Sequence, residues 1–383
     1  MMFHSRKPNW LRSAIFGLIV SGMILSAISC AGVAAPTPTA PASAPATTQA
    51  QPPAAGAAAS GQAVTLTGAG SSFDNPLFTK AFDAYTKLHP NVKVNYQSIG
   101  SGAGIQQLIQ RTVDFGATDA PMNDEQTKAA GGPVVHIPVT LGAVSVAYNL
   151  PGVQAGLKLD GQVLADIYLG KIKKWNDQAI AQLNPDLKLP ATDIVVVHRS
   201  DGSGTTDIFT TYLSSVSPAW KEKAGAGLSV NWPVGVGAKG SEGVSGQVKQ
   251  IAGGVGYFEM AYAKQNKLTE AAIADGAGKF AMPSTDGASA CADKAAGQMP
   301  ADLKVRIAGC SGSGVYPISG FSWVVLYQDQ KNPAHGQAMV DLFRWLVTDG
   351  QKFGPDLGYA PLPAPVVKLN EQQLGKIRGA GRP

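Results

Sequence analysis

Charged side chains are scarce in this chain. Asp, Glu, Lys and Arg make up 15% of its 383 residues, and none of them occurs between Arg12 and Asp74. The formal net charge is only +5, and no run of Lys or Arg forms a basic stripe. Nucleic-acid binding depends on clustered positive charge, so we exclude that class of function. Hydrophobic residues make up 44% of the chain, which indicates a globular body.

The sequence also lacks the motifs of metal and covalent chemistry. Its five His residues are scattered without metal-ligand spacing, and neither CxxC nor HExxH occurs. It has no Gly-x-Ser-x-Gly elbow and no Walker A motif. The stretch 235–240 matches the dinucleotide pattern in letters, but it follows Trp232-Pro233 instead of a clear strand, so we expect a loop there. The sequence therefore predicts no metal, no cofactor and no enzyme.

The first 63 residues indicate export. Residues 1–30 have a basic start and an uncharged apolar stretch that ends at Cys30, which predicts a lipoprotein-type signal peptide with Cys30 as the lipid attachment site. The alternative is a plain secretory signal that is cut just beyond, for example after Ala35. Residues 31–63 are rich in Ala, Pro and Thr and predict a disordered linker. We therefore expect the globular body at the extracytoplasmic face of the cell membrane, or in the periplasm, with a lipid anchor.

Only two cysteines lie in the exported body, Cys291 and Cys310. An oxidising compartment favours a disulfide between them, worth about 3 kcal/mol by loop entropy. The alternative is a pair of buried free thiols.

The most informative local pattern is a strand, a polar loop and a helix near residue 200. Ile194–Val197 is a β-branched run that predicts a buried strand, and a helical pattern follows the loop, with Ser203 or Thr205 as its N-cap. The first turn of such a helix binds anions through its free N–H groups. Arg199 adds a planar fork of donors, and Asp201 is positioned to steady that fork.

The same arrangement of a strand that runs into a loop rich in Gly, Ser or Thr recurs along the chain. It occurs at Gly70–Phe73, Gly100–Gly104, Gly116–Pro121 and Arg199–Thr205. In an open α/β sheet the carboxyl ends of the strands face one crevice, where ligands bind. We therefore expect these four loops to converge on one small anion.

Two long apolar stretches predict how the body is divided. Residues 133–150 are extended and cross from one domain to another, and residues 318–327 predict a return strand. We therefore expect an α/β fold of two lobes, 64–140 plus 320–383 and 141–319, joined by two hinge crossings with the ligand in the cleft. His136 lies on the first crossing and is expected in the core.

Six stretches carry a more specific signal when they are taken together. They are Leu-Thr-Gly-Ala-Gly-Ser-Ser-Phe (66–73), Gly-Ser-Gly-Ala-Gly (100–104), Val-Asp-Phe-Gly-Ala-Thr-Asp-Ala-Pro (113–121), Asp-Ile-Tyr-Leu-Gly-Lys-Ile-Lys-Lys-Trp (166–175), Arg-Ser-Asp-Gly-Ser-Gly-Thr (199–205) and Gly-Tyr-Phe-Glu-Met-Ala-Tyr-Ala (256–263). With them, residues 65–267, and less sharply 318–364, resemble the phosphate-binding proteins of bacterial ABC-type high-affinity phosphate importers. Residues 268–317 depart from the family pattern.

This resemblance implies a type II-like periplasmic binding protein that holds one phosphate between its lobes without a cofactor. It implies a membrane permease as the partner that receives the phosphate, and a monomeric protein. The phosphate ligands that it implies are Ser72, Phe73 through its backbone N–H, Ser101, Asp119, Arg199, Ser203, Gly204 and Thr205, with Asp201 in support. Ser72 stands where the family commonly has Thr, and it keeps the hydroxyl.

Two other functions remain open at this point. The chain could bind another oxyanion such as sulfate, although Asp119 favours an anion that carries a proton. It could instead be a secreted phosphatase or esterase that uses Ser72 or Ser203, but no catalytic base accompanies either residue in the sequence.

Overall fold

The computed structural model describes residues 63–379. The predicted signal peptide, Cys30 and the linker up to residue 62 lie outside the described residues. Among residues 63–379, no helix has both the length and the apolar character needed to cross a membrane.

The described part of the chain contains thirteen strands. They are β1 (Val64–Gly70), β2 (Val92–Ser98), β3 (Phe115–Thr118), β4 (Val134–Tyr148), β5 (Lys158–Leu159), β6 (Val195–Arg199), β7 (Val236–Ala238), β8 (Gly254–Glu259), β9 (Thr269–Glu270), β10 (Ala272–Ala274), β11 (Phe280–Ala281), β12 (Ser319–Tyr327) and β13 (Tyr359–Ala360).

Twelve α-helices are found in the same residues, and two short 3₁₀ helices at Asp349–Phe353 and Pro355–Leu357 follow the eleventh. The α-helices are α1 (Asn75–Leu88), α2 (Ser101–Ile109), α3 (Asp124–Ala129), α4 (Gly161–Tyr168), α5 (Gln178–Leu183), α6 (Gly204–Val216), α7 (Pro218–Lys223), α8 (Gly240–Gln250), α9 (Met260–Asn266), α10 (Thr285–Ala296), α11 (Pro333–Val347) and α12 (Ala364–Leu374).

The strand order shows two lobes that share one long strand. The main sheet runs β2-β1-β3-β12-β4-β8-β6-β7. β4 pairs with β12 as far as Ala143 and with β8 from Val144 onward. We call the β2-β1-β3-β12-β4 side the first lobe and the β4-β8-β6-β7 side the second lobe. The two crossings that the sequence predicts are therefore β4 and the entry into β12 at Ser319.

Parallel pairing positions the loops of the site. β1 lies between β2 and β3 and is parallel to both, so the carboxyl ends of all three strands lie at one edge of the first-lobe sheet. In the second lobe, β6 is parallel to both β7 and β8. The helices α1, α2, α6 and α8 begin just after β1, β2, β6 and β7, which brings their N-termini to the cleft.

Two hydrophobic clusters form the cores of the lobes. The first-lobe cluster includes Phe78 and Phe82 of α1 and Leu342 and Phe343 of α11, so the C-terminal helices return to the first lobe as predicted. The second-lobe cluster is built around the aromatic side chains of α4, α6 and β8. Each lobe thus has its own packed core.

One segment packs differently from its predicted place. Residues 141–319 are expected in the second lobe, but α10 and Leu303 pack into the first-lobe cluster. A disulfide joins Cys291 of α10 to Cys310, as predicted. The helix is rich in Ala and shows no broad apolar face, so its sequence does not indicate which core it covers.

Local expectations had mixed outcomes. His136 is buried, as expected, and its Nε2 accepts the Met122 N–H at 3.1 Å. The prediction of a loop over 235–240 is wrong, because Val236–Ala238 forms β7 beside β6 and α8 begins at Gly240.

Candidate functional site

Asp119 is the centre of a buried polar cluster at the end of β3. Only 2% of this residue is exposed, and its carboxylate accepts hydroxyl bonds from Ser71, from Ser322 at 2.9 Å and from Thr205 at 3.0 Å. Burial raises the pKa of Asp119, while the three hydroxyls and the nearby Arg199 oppose this rise. Hydroxyls from both lobes therefore meet on one carboxylate.

Ser101 ties three of the glycine-rich loops together. Its Oγ accepts the Gly204 N–H at 3.0 Å and the Asp119 N–H at 3.3 Å. Gly204 must be glycine here, because an added Cβ would lie 2.5 Å from the Asp119 nitrogen. Ser101 is the first residue of α2, and Gly100, with φ +91°, takes the N-cap position.

The helix α6 presents its N-terminus to this cluster. Ser203 is its N-cap, and the Ser203 hydroxyl accepts the Thr206 N–H at 3.1 Å, which settles the choice between Ser203 and Thr205. The Gly204 N–H at this helix end donates to Ser101 Oγ, so the positive end of the helix dipole lies beside Ser101.

Arg199 and Asp201 form a paired fork at the end of β6. Arg199 Nε and its terminal NH2 donate to the two Asp201 oxygens at 2.8 and 2.5 Å, and Asp201 also accepts the Gly240 N–H at 3.1 Å. Arg199 is only 3% exposed. Burial opposes the charge on both partners, but their pairing outweighs it, so the pKa of Arg199 is raised and that of Asp201 lowered. Arg199 is therefore a fixed, buried guanidinium whose charge Asp201 balances.

The loop after β1 reaches across to the second lobe. Ser72 Oγ lies 3.1 Å from Ser241 Oγ and accepts the Ser241 N–H at 3.1 Å. The Phe73 N–H, which the family resemblance assigns to the ligand, donates to Ser71 Oγ at 2.9 Å. Both predicted residues are buried in the cleft.

The structure brings the predicted site residues together, and every one of the four loops contributes. Ser71, Ser241 and Ser322 belong to the same cluster but were missed. Ser71 is adjacent to Ser72, and Ser241 follows a strand and a glycine. The pattern of a strand that runs into a polar, glycine-rich loop could therefore have identified both residues. Ser322 lies inside a buried apolar strand. The sequence marks it only as a polar residue among hydrophobic ones, which in a buried strand indicates a hydrogen-bonding partner elsewhere.

These groups suit an anion. The cluster offers hydroxyls, backbone N–H groups and one Arg, with one carboxylate among them. Among residues 63–379, no group of three or more His, Cys, Asp and Glu side chains is placed to hold a metal ion.

Comparison with known proteins identifies one family. The family model described as a PBP superfamily domain matches residues 42–349. A phosphate-binding protein PstS from Pasteurella multocida is 46% identical over 313 residues, which cover 82% of this chain and 90% of that protein. The protein of the same name from Xylella fastidiosa (strain Temecula1) is 44% identical over 311 residues, covering 81% of this chain and 85% of its own.

A solved structure agrees in fold. The phosphate-binding protein from Stenotrophomonas maltophilia superposes with a TM-score of 0.65 at 19% identity, and the match covers 84% of this chain and 100% of that chain.

Proposed function

The chain belongs to the PBP superfamily, and from that premise we propose that it binds inorganic phosphate outside the cytoplasmic membrane and delivers it to the permease of an ABC-type importer. The observation that carries this proposal is the buried carboxylate of Asp119 among hydroxyl donors of both lobes, near the buried Arg199. Phosphate is an anion that keeps a proton near neutral pH, so it can use the donors and the acceptor together.

In this proposal phosphate takes over hydrogen bonds that the site groups make to one another. Ser72, Ser101, Ser203 and Thr205 supply hydroxyls, Phe73 and Gly204 supply backbone N–H groups, Arg199 supplies its guanidinium and Asp119 accepts the phosphate O–H. Asp201 touches no ligand and holds Arg199 in place. Phosphate thereby stabilises the closed state, because only there can donors of both lobes reach it.

The protein acts as a monomeric binding protein, not as an enzyme. A phosphatase or esterase would need a catalytic base next to Ser72 or Ser203. Here Ser72 is hydrogen-bonded to Ser241, and Ser203 accepts the N–H of Thr206. Within residues 63–379 neither hydroxyl contacts a His or a carboxylate that could accept its proton.

Titration calorimetry tests the binding function directly. Phosphate-stripped protein is titrated with phosphate and with sulfate, and we expect tight binding of phosphate and little heat from sulfate. Arg199→Gln should weaken phosphate binding by about tenfold to hundredfold, since a charge-assisted hydrogen bond is worth roughly 1.5–3 kcal/mol. Arg378→Gln removes the same charge from an exposed site and should change little. Equal affinity for sulfate would favour a general oxyanion binder.

The lobe limits and the closing motion belong to the same proposal. We place the lobes at 64–140 plus 320–383 and at 141–319, with α10 and Leu303 packed on the first lobe although they lie in the second range. Small-angle scattering should show a smaller radius of gyration with phosphate, and an unchanged radius would contradict a clamp.

Membrane attachment rests on the sequence before the described residues. A diacylated Cys30 followed by the linker 31–63 would keep the body next to the permease, since one lipid chain alone binds weakly. Wild type should partition with membranes, and Cys30→Ala should be released or remain unprocessed. Wild type found only in the soluble exported fraction would contradict the anchor.

A further inference from the structure

Asp74 is a buried carboxyl group that the site described so far does not use. It is fully buried at the N-cap position of α1, yet its side chain does not cap the helix. Its Oδ2 lies 2.7 Å from Ser322 Oγ, and the same Ser322 oxygen lies 2.9 Å from Asp119 Oδ1. Two buried carboxyl groups therefore share one serine hydroxyl.

The available protons do not suffice for two ionised carboxylates. Ser322 carries one hydroxyl proton but faces three acceptors: Asp74, Asp119 and, at 3.2 Å, the Thr118 carbonyl. Asp74 Oδ1, the remaining oxygen of that carboxyl, has no hydrogen-bond partner. If the Ser322 hydroxyl donates to Asp119, an ionised Asp74 has no donor on either oxygen. A buried carboxylate in that state is strongly unfavourable.

The other hydroxyls near Asp74 are already engaged. Tyr96 on β2 donates to the Ser71 carbonyl at 2.6 Å, and Tyr359 on β13 donates to the Phe73 carbonyl at 2.6 Å. Ser71 donates to Asp119. None of them supplies Asp74, so the missing proton must reside within the Asp74–Ser322–Asp119 chain itself.

We propose that Asp74 and Asp119 hold one proton between them and that Asp74 Oδ2 carries it. Asp74 is thereby a positioning residue that keeps Asp119 ionised. The Asp74 O–H donates to Ser322 Oγ, and the Ser322 hydroxyl then donates to Asp119 Oδ1. The unpartnered Asp74 Oδ1 becomes the carbonyl oxygen of a neutral acid, which is the less costly oxygen to leave without a donor.

The surroundings favour this placement of the proton. The titratable groups that face the pair are Tyr96, Tyr359 and the cation Arg199. Around the two tyrosines lie Tyr262 and the carboxyls Glu242 and Glu259. Burial and then the charge of Asp119 raise the pKa of Asp74 well above its usual value. Asp119 has three hydroxyl donors and Arg199 to oppose the effect of burial, whereas Asp74 has only Ser322.

This arrangement determines which anion the site can accept, and that consequence rests on the proposed phosphate function. A carboxylate offers about four lone-pair sites. Without phosphate, Ser71, Ser322 and Thr205 use three of those on Asp119. When Thr205 donates to phosphate instead, two sites on Asp119 are free, and one of them accepts the O–H of phosphate. With the proton on Asp119 instead, that residue would donate and would suit a proton-free oxyanion such as sulfate.

Infrared spectroscopy of the phosphate-free protein tests the proton directly. At pH 7 we expect a carboxylic acid carbonyl band that shifts in heavy water and disappears in Asp74→Asn, whereas any band of the buried Glu259 and Glu270, whose pKa values are also raised, stays in that variant. Asp124→Asn changes an exposed carboxylate five residues from Asp119 and should keep the band. A carboxylic acid region of the spectrum that Asp74→Asn leaves unchanged from wild type would overturn the proposal.

A second variant decides the question if Asp74→Asn does not fold. Ser322→Ala removes the acceptor of the Asp74 proton, so the band should move to higher frequency. An unchanged band would place the proton elsewhere and would also overturn the proposal.

Calorimetry of Asp74→Asn then tests the effect on binding. The Asn amide mimics the neutral acid as a donor to Ser322, so phosphate affinity at pH 7 should stay within about threefold of wild type. If Asp74 were ionised, its removal would take a negative charge away from the anion and tighten both phosphate and sulfate by about tenfold or more. The second result would overturn the proposal.

Because the infrared band needs no ligand, a protein that shows it but binds no phosphate would contradict the proposed function alone.

Discussion

Gly102 and Gly202 contact each other across the cleft. The Gly102 N–H donates to the Gly202 carbonyl at 2.9 Å, and a Cβ added to Gly102 would lie 3.1 Å from Gly202 Cα. Neither residue has the positive φ that favours glycine. The close approach of the two backbones, one from each lobe, is therefore what requires glycine at these positions.

We predict that Gly202→Val weakens phosphate binding by about tenfold or more. A Cβ at Gly202 would already lie 3.2 Å from Gly102 Cα, and the branched side chain of Val adds two further methyl groups. Calorimetry gives the affinity, and Gly246→Val on α8 is the control, because a Cβ there meets nothing within 4 Å. Unchanged affinity in Gly202→Val would mean that phosphate does not need this contact.

Much of the site could be predicted because its parts are local in sequence. The Arg199–Asp201 fork and the Ser203 cap follow from residues two and three positions apart, and the structure has both contacts. Each strand-loop-helix pattern brings its own donors to the same sheet edge. Parallel pairing then brings the loops of each lobe together.

The parts that were missed depend on contacts between distant residues. Ser322 meets Asp74 across 248 positions, and nothing near either residue indicates the other. Ser241 was missed because β7 has only three residues and follows Trp232-Pro233, which hides the strand signal. The place of α10 is decided by which apolar surface it covers, and its short Ala side chains could fit either lobe.

We predict that reduction of the Cys291–Cys310 disulfide lowers stability without affecting phosphate affinity. The bond closes a loop with a sequence separation of 19, for which loop entropy gives about 3 kcal/mol. Urea unfolding with and without reductant measures the loss, and the double variant Cys291→Ala/Cys310→Ala should not respond to reductant. A wild-type unfolding free energy that reductant leaves unchanged would show that the crosslink contributes nothing.

We predict that His136 makes the protein less stable in acid. Burial lowers the pKa of His136 from 6.5 to about 3, so the unfolded chain binds a proton that the folded protein excludes. This contribution is fully present above pH 6.5 and is lost as the pH falls toward 3. Between pH 7 and 5, wild type should lose about 2 kcal/mol more unfolding free energy than His136→Gln.

Urea unfolding at several pH values measures this difference. His89→Gln is the matched control, because His89 is exposed. A wild type and a His136→Gln variant with parallel pH profiles would show that folding does not lower the pKa of His136.

The final prediction separates phosphate from sulfate. Asp119 is buried and receives three hydroxyl bonds, so when it is ionised it can only accept from a ligand. Phosphate donates its O–H to it, whereas sulfate, which has no proton at neutral pH, would place a negative oxygen against a negative one. Rejection through such an unmet polar group can reach about 10⁴–10⁵-fold.

Asp119→Asn keeps the shape and removes the charge, and its amide can donate to sulfate. We therefore expect it to narrow the preference for phosphate over sulfate by well over tenfold, as measured by titration of both anions, while Asp124→Asn leaves the preference intact. Equal discrimination by wild type and Asp119→Asn would mean that another residue sets the selectivity, and that the role assigned to Asp119 is wrong.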